Sequence, residues 1–167
     1  METQKALDIL KMAILMEKRG HAFYAKVAEQ TADPEIRNIF LTMADEEMKH
    51  IKFLSEQYIS FGKNKKFRKV ELHNLADEGF ASLILTEDLK QKISSAGFEA
   101  AAITAAIDFE KKSVEIYSKQ AASTEDENEK TLYKWLSEWE SGHLRILIDM
   151  DRELQEKIWN DNQFWPF

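Results

Sequence analysis

The chain contains no cysteine. That excludes disulfides, thiolate metal sites, cysteine nucleophiles and any attached four-cysteine metal module. Proline and glycine are scarce, at two and five residues, so little interrupts long helices. Long apolar runs are missing too. The N-terminal stretch METQKALDILKMAILMEKRG carries charge throughout and does not read as a signal peptide, and no later segment is apolar enough to span a bilayer. The expected location is cytoplasmic, with no membrane partner. Basic charge is also short: 23 Lys and Arg stand against 30 Asp and Glu, a net charge of −7. That balance argues against binding a phosphate backbone, so no nucleic acid is expected.

What remains is a helical composition. Of the 167 residues, 44% are hydrophobic and 32% charged, enough for a single domain over 1–167 with a substantial core. Four segments place apolar residues at three- and four-residue steps, roughly 4–31, 34–61, 97–122 and 127–157. Asp33-Pro34 reads as an N-cap followed by proline at the first helical position. The acidic cluster Thr124 to Asn128 suits another helix N-terminus. Short breaks make two antiparallel hairpins, about 4–61 and 97–157, joined by a connector over 62–96. That connector opens at Gly62 with a basic run, Lys63, Lys65, Lys66, Arg68 and Lys69, and holds an amphipathic piece around Leu83, Leu85 and Leu89. The run reads as a solvated loop more than a docking site for an acidic redox partner. The connector is long enough to cross the length of a bundle, and short extra helices are expected in it. The fold class is therefore all-α: an antiparallel four-helix bundle of ferritin-like topology with one long crossover between helices 2 and 3.

A repeat runs through these helices. Glu17, Glu47 and His50 recur 93 residues later as Glu110, Glu140 and His143. Tyr24 and Asp33 recur as Tyr117 and Asp126. Glu47-x-x-His50 and Glu140-x-x-His143 each put a carboxylate and an imidazole on one helical face. Glu17 and Glu110 interrupt apolar stripes, where a carboxylate is costly unless paired, protonated or metal-bound. Two like charges about 4 Å apart repel by roughly 4 kcal/mol at an effective dielectric near 20. Four converging carboxylates therefore need cations, and two divalent ions balance them. A Glu from each of two helices and Glu-x-x-His from each of the other two is the dimetal pattern of such bundles. Carboxylate and imidazole ligands suit iron, manganese or zinc.

Other residues invite weaker readings. Tyr24 and Tyr117 lie seven residues after Glu17 and Glu110, on the same face. They either hydrogen-bond a metal carboxylate or sit in the core satisfied elsewhere. Glu46 could hold a ligand histidine in place, but its repeat counterpart is Trp139, which favours a solvated surface residue. His21 and His73 read as surface or structural. The aromatic tail, Trp159, Phe164, Trp165 and Phe167, reads as packing on the bundle or on a neighbouring subunit.

The segments AILMEKRGHAFYAKVA, MADEEMKHIKFL, AAIDFEKKSVEIYSKQA and LSEWESGHLRIL resemble the four helices of the rubrerythrin family, over most of 5–60 and 99–150. The resemblance implies a centre of two iron ions on Glu17, Glu47, His50, Glu110, Glu140 and His143, which together would bind the metals and carry catalysis. It implies an oxidoreductase, a peroxidase or oxidase acting on hydrogen peroxide or dioxygen in oxidative stress. Two departures stand out. Rubrerythrins carry a further carboxylate three residues after the helix-3 ligand, where this chain has Ser113. They also end in a cysteine-ligated rubredoxin domain, so turnover here would need an external electron-transfer protein. The alternatives are a ferroxidase or iron-handling role, and a non-catalytic module holding zinc or manganese. A homodimer is the expected assembly. Glu71, Glu78 or Glu87 of the connector could supply an extra ligand.

Overall fold

The computed structural model describes residues 2–69 and 98–161. They form four helices and no strand: α1 (Glu2–Gln30), α2 (Pro34–Asn64), α3 (Phe98–Ser123) and α4 (Glu127–Asp161). No helix among the described residues is long and apolar enough to cross a membrane. The connector piece with Leu83, Leu85 and Leu89, the acidic residues Glu71, Glu78 and Glu87, His73, and the tail residues Phe164, Trp165 and Phe167 all lie outside the described residues. Trp159 is described and is 60% exposed.

Both interhelical breaks form as their sequences require. Asp33 accepts from the backbone N–H groups of Glu35 and Ile36, with Pro34 at the first helical position. Its counterpart Asp126 accepts from Asn128 and Glu129 in the same way. Each satisfies two of the amides that a helix start leaves unpaired.

Side-chain pairs fix the helix directions. Glu17 meets His50 while His21 contacts the Ala44 carbonyl, so α1 and α2 are antiparallel. Tyr117 and Ser118 pair with Tyr133 and Ser137, while Glu110 meets His143, so α3 and α4 are antiparallel too. Tyr24 reaches Glu110 and Tyr117 reaches Glu17, which sets α1 against α3. Trp139 reaches Glu46 and Trp135 packs on Phe53, which sets α2 against α4. α2 and α3 are therefore parallel. The link between them starts at one end of the four-helix bundle and finishes at the other, as the crossover topology demands.

The core has two apolar layers. One is built around Tyr24, Ile39, Phe40, Met43, Ile103, Leu147 and Leu154. The other is built around Leu10, Leu54, Phe61, Tyr117, Leu132, Tyr133 and Leu136. A shift of 93 residues carries one into the other: Leu10 onto Ile103, Leu54 onto Leu147, Phe61 onto Leu154, Phe40 onto Tyr133. The duplication thus appears in space as a pseudo-twofold axis that exchanges the two ends of the bundle. The residues that sit near that axis are the polar ones.

α2 runs further than its sequence suggested. Gly62 was expected to open the connector, yet the helix passes through it to Asn64 and ends at Lys65, which takes a left-handed conformation with φ 55°. The helix continues because its exit is anchored later. Phe67 packs on Phe61, and the buried Gln57 side chain both donates to and accepts from the Arg68 backbone. The other basic residues of the run are exposed, as expected of a solvated segment.

A Cβ added at Gly62 would meet nothing within 4 Å. Gly62→Ala is accordingly expected to stabilise the protein by about 0.5–1 kcal/mol, through the lower entropy cost of alanine in a helix. A higher urea midpoint checks this.

Candidate metal centre

Between the two apolar layers lies a band of buried polar side chains. Glu17, Glu47, His50, Glu110, Glu140 and His143 are each at most 2% exposed. α1 and α3 each supply one carboxylate. α2 and α4 each supply a carboxylate and an imidazole, one turn apart. The six residues named from the sequence are thus brought to one place from four different helices.

Within the band two groups converge. Glu17, Glu47, His50 and Glu140 each offer a ligand atom, all within 4.8 Å of one another. So do Glu47, Glu110, Glu140 and His143. Glu47 and Glu140 belong to both, so they lie between the two candidate positions. Both imidazoles turn Nδ1 inward. His50 Nδ1 stands 3.2 Å from Glu17, 3.4 Å from Glu47 and 3.2 Å from Glu140. His143 Nδ1 stands 3.6 Å from Glu47, 3.5 Å from Glu110 and 3.1 Å from Glu140.

The tyrosines resolve the choice left open by the sequence. Tyr24 donates to Glu110 and Tyr117 donates to Glu17. Each reaches across to the other hairpin rather than to the glutamate on its own helix. The reason is geometric: seven residues carry a side chain about 10 Å along its own axis, and the antiparallel neighbour brings the opposite glutamate to that level. The two hairpins are tied together by this reciprocal pair.

Electrostatics sort the cluster into two kinds of carboxyl. Burial, with help from Glu140, pushes Glu110 up to about 8. Burial and the same neighbour push Glu17 well above the usual carboxylate range. Glu47 and Glu140 go the other way. Burial opposes their ionisation, but the neighbouring Glu17 carboxyl at Glu47, and the two histidines at both, outweigh it and hold both below the ordinary value. Burial would likewise lower the histidines. The surrounding glutamates, Glu140 foremost around His50 and Glu110 around His143, raise both instead. Without metal the cluster therefore favours two neutral acids, two carboxylates and two imidazolium ions, which sum to no charge.

Three neighbours were missed or misread in the sequence. Glu46, expected on the surface, is 1% exposed. Its Oε2 accepts from the Trp139 indole N–H at 2.5 Å and lies 3.9 Å from His143 Nε2, while Oε1 is 3.4 Å from Lys49 Nζ. The Trp135 and Trp139 rings stand nearly perpendicular to the His50 ring, at centroid distances of 5.5 and 5.8 Å. The available signal was that Glu46 and Trp139 immediately precede ligand glutamates and are a mismatch in an otherwise regular repeat. His21 has the structural role expected of it, with Nδ1 2.9 Å from the Ala44 carbonyl.

Two small residues complete the band. Ser113 is buried and its hydroxyl donates to the Phe109 carbonyl. Its repeat counterpart is Gly20. A Cβ there would lie 2.9 Å from the Phe109 ring and 3.2 Å from the Glu47 carboxyl carbon. Gly20 is what lets α1 approach α3 and leaves Glu47 its position.

Two outcomes are expected. Gly20→Ala overpacks the band; a cost of about 1–3 kcal/mol exceeds the gain of roughly 1 kcal/mol in helix propensity, so urea unfolding shifts to a lower midpoint. The second concerns pH. Glu17, Glu110, His50 and His143 all have raised folded-state values. Each contribution is complete below the unfolded-state value and is lost as pH rises through the folded one. The metal-free protein should thus lose melting temperature as pH rises from about 5, just above the ordinary glutamate value, through about 8, where Glu110 titrates. The lowered Glu47 and Glu140 titrate at acid pH, outside that window.

The Rubrerythrin family profile matches residues 8–150, a span that contains all six clustered ligand candidates. Comparison with curated proteins and with solved structures gives no match. The matched span covers well over half of the chain, and the chain belongs to the rubrerythrin family.

Proposed function

We propose that the band holds two metal ions, iron in the native protein, on Glu17, Glu47, His50, Glu110, Glu140 and His143. The loaded protein is then a peroxidase or oxidase that reduces hydrogen peroxide, or dioxygen, with electrons from an external donor protein. The observation that carries this reading is the pair of four-residue groups sharing Glu47 and Glu140. Unpartnered atoms supply the fit. Both oxygens of Glu47, both of Glu140 and Oε2 of Glu110 are buried without a hydrogen-bond partner. Such groups cost on the order of 1–3 kcal/mol each, more when charged, unless something binds them. Oxygen and imidazole donors in this ratio suit iron, manganese or zinc.

The chain's own residues have separable roles. Glu47 and Glu140 lie between the two positions. Glu17 with His50, and Glu110 with His143, close the outer sides. Tyr24 and Tyr117 fasten Glu110 and Glu17 and so limit their rotation. Burial keeps both phenols protonated, so they act as donors. The two apolar layers keep bulk water from either end. A ferrous pair held by these residues would supply two electrons, which with two protons would convert hydrogen peroxide into two molecules of water. Those electrons would come back from a donor outside these 167 residues, which contain no thiolate to hold a relay iron. Ser113 turns its hydroxyl to the backbone, so position 113 adds no ligand.

Loading also moves protons. Four ionised carboxylates, two neutral imidazoles and two divalent ions are again neutral overall. Reaching that state from the metal-free cluster releases about four protons near neutral pH, two from acids and two from imidazolium ions. Calorimetry in buffers of different ionisation enthalpy reads that number, and affinity should fall as pH is lowered. Ferrous iron added without oxygen, then peroxide, should give rapid growth of near-ultraviolet absorbance. Two bound zinc ions and no absorbance change after iron would defeat the redox reading. Glu110→Ala should abolish paired-metal binding; two metals still held tightly would overturn the ligand assignment.

A further inference from the structure

The pseudo-twofold that relates the halves of the band fails at one pair. Glu46 and Trp139 are each other's repeat counterparts, 93 residues apart, and they are bonded to each other. A residue bonded to its own counterpart lies near the axis, so its identity decides what each half of the site receives. On one side the Glu46 carboxylate faces His143 Nε2 at 3.9 Å. On the other the Trp139 and Trp135 rings stand nearly perpendicular to His50, whose Nε2 is buried with no hydrogen-bond partner. Both histidines point Nδ1 at the cluster, so these outer nitrogens are the atoms through which the surroundings can tune them.

We infer that Glu46 is a positioning residue that makes the two metal positions unequal, so that the one built on Glu110 and His143 binds more tightly and fills first. This rests on the two-metal reading above. The physical basis is general. A carboxylate beside the outer nitrogen of a ligand imidazole places the proton there, leaves the inner lone pair for the metal and strengthens it as a donor. The distance of 3.9 Å is longer than a hydrogen bond, so the Glu46 carboxylate acts on the neutral imidazole through its charge on the Nε2–H dipole, which a buried setting screens little. The indole N–H of Trp139 and the ammonium of Lys49 hold Glu46 in this place, so little freedom is lost when it acts. The indole rings beside His50 carry no net charge and leave its outer nitrogen without an acceptor.

The test is an anaerobic titration with cobalt(II), read by its visible absorption and by competition with a chelator. The wild-type protein should bind two ions in two separated steps. His50→Ala should keep the tighter step. Glu46→Gln, which preserves shape and removes the charge, should weaken the tighter step by roughly 10–100-fold and leave the other unchanged, so that the steps draw together. Trp139→Phe keeps an aromatic ring but frees Glu46, and should weaken the same step by a smaller factor. Two equal steps in the wild type, or a loss spread evenly over both steps in Glu46→Gln, would overturn the inference while leaving the two-metal reading intact. Fewer than two ions in the wild type would overturn both. Circular dichroism and urea unfolding of metal-free Glu46→Gln show whether it is folded; if it is not, Trp139→Phe decides the question.

Discussion

The burial of four carboxylates in one layer of a helical bundle is the constraint on which the rest depends. Ionised together and uncompensated they would repel by several kcal/mol for each close pair. The fold meets this in two ways that share one total charge. Without metal, burial and mutual repulsion favour the neutral forms of Glu17 and Glu110, while the neighbouring histidines favour ionised Glu47 and Glu140. With two divalent ions, the protons leave and the metal charge replaces them. The same six side chains serve both states, so the polar band costs less than its composition suggests.

That constraint shapes its surroundings. The apolar layers on either side exclude the water that would otherwise solvate the carboxylates. The reciprocal bonds Tyr24–Glu110 and Tyr117–Glu17 cross from one hairpin to the other at the level of the band. They make the correct docking of the hairpins and the correct placement of the outer glutamates a single event. Gly20 contributes by omission, since a side chain there would press on Phe109 and on Glu47.

Much of this was legible in the sequence because helices convert spacing into direction. Three-residue separations put Glu47 with His50 and Glu140 with His143, and the 93-residue repeat announced two equivalent halves. Asp33 was readable as a cap, and the acidic cluster around Asp126 as a helix start, from local chemistry alone. What spacing does not encode is which residue of a neighbouring helix lies opposite. The tyrosines could be placed on the ligand face but not assigned a partner, because their partners belong to the other hairpin. Glu46 was misread for the same reason: Trp139 and His143, which face its carboxylate across the bundle, belong to α4. The continuation of α2 past Gly62 depends on Gln57 holding Arg68 and on Phe61 meeting Phe67, contacts that a glycine-based stop signal ignores.

The duplication explains the two halves; the mismatch at Glu46 and Trp139 explains why they need not behave alike. All of it rests on the band being a two-metal site. The most direct measurement is an anomalous difference map from crystals grown in iron, collected at the iron edge. Two peaks are expected, one within the group of Glu17, Glu47, His50 and Glu140 and one within the group of Glu47, Glu110, Glu140 and His143. A single peak, or none in the band while iron is bound elsewhere, would contradict the account.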